Sequence, residues 1–198
     1  MAIVPTVLHI MVIDTEDGIT DILTVRGASL AATSVTGEDK QERDANMDRT
    51  IAILMGLQGS GKSTFYVTHL AEDFVRVNLD TLKTRHREKL LVEECIANGQ
   101  SYAIDNTNPT KSDRERYIAP ARAAGYRIIG YFIESKIKDC MQRNALRVGD
   151  ARVPEKAIAA TSNKLQIPSY DEGFDELYFV KNDGKIMTVE KWRRENEI

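Results

Sequence analysis

The chain has little of what fixes a fold or an address by special means. Only two of its 198 residues are cysteine, Cys95 and Cys140, and no metal-ligand spacing surrounds them. They read as reduced structural thiols of a cytoplasmic protein rather than a disulfide framework or a metal site. No apolar run approaches the roughly 18 residues of a membrane span. The start, Met1-Ala2-Ile3-Val4-Pro5, lacks the basic residues of a signal peptide. These features point to a cytoplasmic chain with no membrane partner. A basic excess is also missing: 27 Lys and Arg stand against 30 Asp and Glu, a net charge of −3. Whole-chain charge therefore supplies no strong nucleic-acid footprint, and does not exclude a polyanionic substrate. Internal repeats and low-complexity tracts are absent.

The charge that is present is uneven. Residues 1–46 hold three basic and eight acidic residues, a charge of −5, and the remainder holds 24 basic against 22 acidic, a charge of +2. Residues 7–13 and 22–25 have the composition of strands, with a turn at Asp17-Gly18, and 36–44 reads as a polar linker. Asp14-Thr15-Glu16-Asp17-Gly18 has the wrong spacing for an aspartyl-phosphatase nucleophile motif, which needs two aspartates separated by one residue. Met47 stands just ahead of the first strong strand. The expected division is an N-terminal extension over 1–46, poorly ordered or outside the functional protein, and a functional domain over 47–198.

What the chain does have is Gly56-Leu57-Gln58-Gly59-Ser60-Gly61-Lys62-Ser63, which fits G-x-x-x-x-G-K-[ST], the phosphate-binding loop. Glycines let the main chain turn tightly and aim its N–H groups at phosphate oxygens. Gly56, Gln58, Gly59, Ser60, Gly61, Lys62, Ser63 and Thr64 are the expected nucleotide-binding residues. Lys62 can reach the β- and γ-phosphates, and the Ser63 hydroxyl can ligate Mg²⁺. The apolar run 50–55 before the loop suits a strand buried on both faces, and 63–70 can continue as a helix.

From there strands and helices alternate. Strands are expected at 50–55, 74–78, 101–105, 127–133 and 177–180. Helices are expected at 63–70, 81–98, 112–124, 135–146 and 154–165. The alternation predicts an α/β P-loop NTPase fold of the nucleotide-kinase kind. It would have a five-stranded, mostly parallel sheet, helices on both faces and a helical lid. Ligands of such sheets gather at the carboxyl ends of the strands.

Several polar side chains fall there. Asp80, after the second strand, can take the proton of an attacking hydroxyl as general base, or cap the helix that follows. Asp105, closing the third strand, resembles a Walker B aspartate and is the second candidate metal residue beside Ser63. Asn106 and Asn108 lie at the mouth of the site, where they can touch substrate or simply form a turn. Lys83, one turn past Asp80, is the candidate contact to an acceptor's phosphate. The neighbouring Arg85, His86, Arg87 and Lys89 read mainly as a solvated face. Arg143 and Arg147, four apart at a helix end, share a face and can bring positive charge to a moving phosphoryl group. Arg114, Arg116, Arg122 and Arg127 are expected to be mostly exposed. Asn182-Asp183-Gly184 is placed near the adenine. Asn163-Lys164-Leu165-Gln166 lacks the final aspartate of a guanine-reading motif, so ATP rather than GTP is the expected nucleotide.

In order and kind, these motifs over 50–180 resemble the kinase domain of the polynucleotide kinase/phosphatases and, more distantly, the phage polynucleotide 5′-kinase. The matching segments are Gly56 to Ser63 with Thr64-Phe65 after it, Val77-Asn78-Leu79-Asp80-Thr81-Leu82, Ala103-Ile104-Asp105-Asn106-Thr107-Asn108-Pro109, Arg116-Tyr117, Ala121-Arg122-Ala123-Ala124-Gly125, Arg143-Asn144 with Arg147, and Pro168 through Glu172-Gly173-Phe174. The family usually carries arginine where this chain has Leu79. The resemblance implies a kinase using ATP and Mg²⁺, with Asp80 as general base and Arg147 on the donor phosphates. It implies a 5′-hydroxyl of DNA or RNA as acceptor. A small-molecule hydroxyl (sugar, nucleoside or antibiotic) and an ATPase or nucleotide switch with no acceptor remain as alternatives. A monomer or weak homodimer is expected.

Overall fold

The computed structural model describes residues 49–193. The expectations for 1–46 and for a start at Met47 lie outside the described residues.

The most apolar run of the sequence takes the centre. β1 (Thr50–Met55) is buried at every position, and pairs in parallel with β3 (Tyr102–Ile104) on one side and β4 (Arg127–Ile133) on the other. Covered on both faces and both edges, such a strand needs no polar alternation. β2 (Val75–Val77) extends the sheet beyond β3, and β5 (Glu176–Asn182) extends it beyond β4, both in parallel. A sixth strand, not expected from the sequence, is β6 (Met187–Lys191), which runs antiparallel to β5 and gives the order β2-β3-β1-β4-β5-β6. Its pattern carries few strong apolar residues and so offers little periodic signal. It is held by its pairing and by Trp192, which follows it into the core and meets Phe132 edge-on. The turn before it is where Asn182-Asp183-Gly184 sits. Asp183 Oδ1 accepts from Lys185 N and Ile186 N at 2.8 Å, closing the hairpin.

Helices cover both faces. On one, α1 (Lys62–Phe65) and the π-helical turn Tyr66–Leu70 that prolongs it pack Phe65, Tyr66 and Leu70 on Ala52, Leu54, Ala103, Ile133 and Val180. On the other, Val92 and Cys95 of α3 (Arg85–Ala97) and Tyr117, Ile118 and Ala121 of α4 (Lys111–Ala123) cover Ile51, Ile53, Tyr102, Ile104 and Ile128. A third, small cluster joins Leu57 to Cys140 of α5 (Ile137–Ala145) and Ile158 of α6 (Glu155–Lys164). The lid helices are therefore seated beneath the phosphate loop itself.

Two sequence expectations need correction. The helix expected over 81–98 is two helices, α2 (Leu79–Leu82) and α3, broken at Lys83, whose φ of 68° no regular helix accommodates. Each has its own cap: Asn78 accepts from Thr81 N at 3.0 Å and Thr84 from Arg87 N at 3.2 Å. Asp80 is thus not the cap. The second correction is Arg114, expected on the surface but 0% exposed. Its Nε and Nη2 form a fork to Glu172 at 2.5 and 2.6 Å, and its Nη1 donates to the carbonyls of Asn108 and Gln166 at 3.2 and 3.1 Å. It ties α4, the loop after β3 and the segment after α6 into one unit. A buried pair of this kind is costly to break on one side, because the remaining charge has no partner. Arg114→Ala should lower unfolding free energy by about 3–5 kcal/mol in denaturant titrations. A loss under about 1 kcal/mol would show the pair to be dispensable.

Candidate active site

The phosphate loop is defined by which of its main-chain groups are held and which are left open. Its carbonyls are held. Lys62 Nζ donates to Gly56 O and Leu57 O at 2.9 and 2.7 Å, Arg143 Nε to Gly59 O at 2.7 Å, Asn182 Nδ2 to Ser60 O at 2.6 Å, and Phe65 N to Gly61 O at 2.9 Å. The loop's start is pinned through Gly56 N on Thr107 O and Leu57 N on Ser135 Oγ, both 3.0 Å. By contrast, the amides of Gly59, Gly61, Lys62 and Ser63 donate to nothing among the described residues. Main-chain donors in such a place need a partner, and a cluster of them beside a helix start is a cradle for an anion. The glycines are required by packing as well as by dihedrals. A Cβ on Gly59, at φ +80°, would lie 2.4 Å from Cys140 O, and one on Gly56, at φ +141°, 2.7 Å from Ser135 Oγ. Gln58 leans on the lid through Nε2 to Thr161 Oγ1 at 3.1 Å. Ser60 Oγ is buried with no partner among the described residues. Thr64 is exposed on α1, its carbonyl accepting from Thr68 Oγ1 at 2.9 Å.

Asp105, 2% exposed, joins the loop to the sheet. Its Oδ2 accepts from Ser63 Oγ at 2.9 Å and from Arg76 Nε at 2.9 Å, with Arg76 Nη2 in close contact on the same oxygen. Asn78 Nδ2 donates to its main-chain carbonyl at 2.5 Å. A hydroxyl and a carboxylate in contact are the hard oxygen donors that Mg²⁺ takes, one or two from protein and the rest from phosphates and water. Among the described residues no cluster of three or more His, Cys, Asp or Glu could hold a metal without such help. The residues present fit a magnesium ion carried in with a nucleotide.

Beyond β2, Asp80 is exposed in the first turn of α2 and makes no hydrogen bond or ion pair among the described residues. It lies close enough to Lys62 to act on its charge. Lys83 is exposed at the left-handed end of the same short helix. Asn106 and Asn108 differ from expectation. Asn108 is buried and donates Nδ2 to Leu54 O at 2.7 Å, which ties it to the end of β1. Asn106 accepts from Leu79 N at 3.0 Å and donates to Glu88 Oε1 at 2.6 Å. Glu88, 2% exposed, also accepts from Tyr117 OH at 2.9 Å and Arg85 Nη1 at 2.7 Å. This network fixes the start of α2, and so the placement of Asp80.

On the lid side, the Nε of Arg143 is engaged with Gly59 O, while Arg147 is exposed with one 3.4 Å contact from Nη1 to Ala151 O. Of the two, Arg147 is the free cation, and it too acts on Lys62. Asn144 closes the lid turn, donating to Val153 O at 2.7 Å and accepting from Val153 N at 2.9 Å.

Sequence reasoning misses Arg76, Glu88, Ser135 and the loop-holding role of Asn182. Ser135 follows β4 and Asn182 ends β5, so the rule that places sites at strand carboxyl ends points to both. Arg76 is signalled only by a charge between two valines, and Glu88 by nothing.

A phosphate loop between a central parallel strand and its helix, with a strand-end aspartate hydrogen-bonded to the loop serine, defines a P-loop NTPase of kinase-like fold. The chain belongs to the AAA domain family, whose model matches residues 51–168. It is 30% identical over 131 residues to the bifunctional polynucleotide phosphatase/kinase of Schizosaccharomyces pombe, covering 64% of this chain and 32% of that one. It is 27% identical over 158 residues to a putative bifunctional polynucleotide phosphatase/kinase of Acanthamoeba polyphaga mimivirus, covering 74% and 37%. The domain is thus polynucleotide-kinase-like, and the chain spans about a third of the length of these relatives. Among solved structures, a sugar kinase from Janibacter shares the fold with a TM-score of 0.52 at 15% identity, covering 67% of this chain and 84% of that one. The PezAT toxin–antitoxin system of Streptococcus pneumoniae does so with a TM-score of 0.52 at 13% identity, covering 78% and 82%.

Burial lowers the Lys62 ammonium from 10.5 to about 8, against the opposing pull of Asp105, Cys140 and Asp80 and with the help of Arg147. Phosphate oxygens favour the charged form and raise that value again. Nucleotide binding above pH 8 therefore takes up a proton, and affinity falls as pH rises. Fluorescent ADP titrations between about pH 7 and 9.5 should show a flat affinity up to 8 and a loss approaching tenfold per pH unit beyond it. An affinity constant across that range contradicts a low Lys62 pKa in the free protein.

Proposed function

We propose that the chain is an ATP-dependent kinase that transfers the γ-phosphate to a hydroxyl, with a 5′-hydroxyl of DNA or RNA the leading acceptor. The observation that carries this reading is Asp80: an exposed carboxylate on a short capped helix, with no hydrogen bond or ion pair among the described residues and within electrostatic reach of the loop lysine. A nucleotide-hydrolysing switch has no need of a free base at that place. The 30% identity to a polynucleotide phosphatase/kinase supports the choice of acceptor.

In this reading the free amides of Gly59, Gly61, Lys62 and Ser63 hold the phosphates of ATP. Lys62 exchanges the Gly56 and Leu57 carbonyls for phosphate oxygens. Ser63 and Asp105 would hold Mg²⁺, which would supply charge neutralisation to the phosphates. Asp80 accepts the proton of the incoming hydroxyl as its oxygen attacks the γ-phosphorus in line, and ADP leaves from the opposite side. Arg147 swings in from the lid to balance charge on the moving phosphoryl group. Arg143 stays on Gly59 O as the hinge-side anchor. Lys83, beside Asp80, takes an acceptor phosphate. The working domain is 47–198, with 1–46 an extension that chemistry does not need.

Incubation with γ-labelled ATP, Mg²⁺ and 5′-hydroxyl oligonucleotides tests the reading. Label on the oligonucleotide is expected, from the full chain and from one starting at Met47. Label only on molecules of a metabolite mixture moves the acceptor to a small alcohol, and release of phosphate alone removes the kinase assignment. Lys62→Ala abolishes transfer. Asp80→Asn lowers kcat by about 100-fold or more with ATP affinity preserved; unimpaired turnover in that variant would falsify the base assignment.

A further inference from the structure

The ion pair between Arg76 and Asp105 has no place in the reaction above. It nevertheless covers the one carboxylate expected to face the metal. All the donors on the Asp105 side chain meet the same atom: Ser63 Oγ and Arg76 Nε at 2.9 Å, and Arg76 Nη2 closer still, all on Oδ2. The oxygen turned toward the loop serine is therefore the one that arginine occupies. The guanidinium is itself held from behind, its Cζ 5.2 Å from the centroid of the Tyr66 ring, and Tyr66 is fixed by its hydroxyl on Phe74 O at 2.7 Å. Arg76 comes from β2, the edge strand of the sheet, and Tyr66 from the π-helical turn after the phosphate loop. Two separate elements thus aim one cation at Asp105.

Charge explains why. Asp105 is 2% exposed, and a carboxylate so buried requires a countercharge. A metal ion bound to nucleotide would supply one, but only while nucleotide is present. Arg76 supplies it at all times. A fixed positive charge beside the carboxylate also repels a second cation unless phosphates bring compensating negative charge.

Resting on the phosphate-loop reading, we infer that Arg76 is a metal-excluding residue: it keeps divalent cations off Asp105 and Ser63 until a nucleotide delivers them. Metal entry and nucleotide entry then become one event, and the free protein carries no resident metal. Arg76 is a positioning and specificity residue in this scheme, not a catalytic one.

The probe is Mn²⁺ alone, without nucleotide, with free Mn²⁺ followed by its EPR signal. The wild-type chain is expected to show no specific site. Arg76→Gln gains one at least about tenfold tighter than wild-type background, the order expected when one positive charge beside a divalent cation is lost. The gain disappears in the double variant Arg76→Gln with Asp105→Asn, and Arg76→Lys, which keeps the charge, stays close to wild type. If Arg76→Gln binds Mn²⁺ no better than wild type, or if the double variant keeps the gain, the inference is overturned. Should Arg76→Gln be too unstable to titrate, its melting temperature decides: Mn²⁺ raises it in the variant and not in the wild type, and an equal rise in both overturns the inference. The phosphate-loop reading fails separately, if wild-type protein does not bind ADP in the presence of Mg²⁺.

Discussion

A main-chain loop that must offer its N–H groups to a ligand cannot use them to hold its own shape, and this constraint organises the molecule. The loop at Gly56 to Ser63 is held chiefly by its carbonyls, and the donors come from three elements. Lys62 reaches back from α1, Arg143 comes from α5, Asn182 from the end of β5, and Phe65 N from within the helix. The lid cluster of Leu57, Cys140 and Ile158 packs directly below. Sheet, lid and first helix thus meet at eight residues, and the close approach of Cys140 O to Gly59 leaves no room for a side chain there. The buried fork from Arg114 to Glu172 acts in the same way a layer further back, fixing the loop after β3 whose Thr107 carbonyl receives Gly56 N.

Charge is graded across the centre. Asp105 Oδ2 accepts from Ser63 and Arg76, burial lowers the Lys62 ammonium to about 8, Asp80 makes no hydrogen bond or ion pair among the described residues, and Arg147 keeps one 3.4 Å contact to Ala151 O. Such an arrangement separates the two carboxylates: Asp105 is paired with the Arg76 cation, and Asp80 is open to solvent. The network of Glu88, Tyr117, Asn106 and Leu79 N makes that separation durable by fixing the helix that carries Asp80.

Much of this is legible in the sequence. The phosphate loop shows itself through fixed glycines, Lys62 and Ser63, and β1 and β4 through long apolar runs bounded by turn residues. What stays hidden has common physical causes. β6 and the break at Lys83 depend on pairing and capping that local pattern does not encode, since a left-handed lysine looks like any helical lysine in sequence. Arg114 and Glu88 are charged residues buried because a partner distant in sequence meets them, 58 residues away for Arg114 and 29 for the Tyr117 hydroxyl on Glu88. Asn108 is easily misread because a buried amide capping a strand carbonyl and an exposed amide contacting substrate have the same sequence signature.

In the proposed reaction Asp80 faces the γ-phosphate across the loop, on the side from which an acceptor hydroxyl arrives. A crystal structure with ADP–aluminium fluoride, Mg²⁺ and a 5′-hydroxyl oligonucleotide measures this directly. The Asp80 carboxylate is expected within hydrogen-bond distance of the 5′-oxygen, with that oxygen in line with the aluminium and the leaving ADP oxygen. An Asp80 turned to solvent, with another group on the 5′-oxygen, would contradict it.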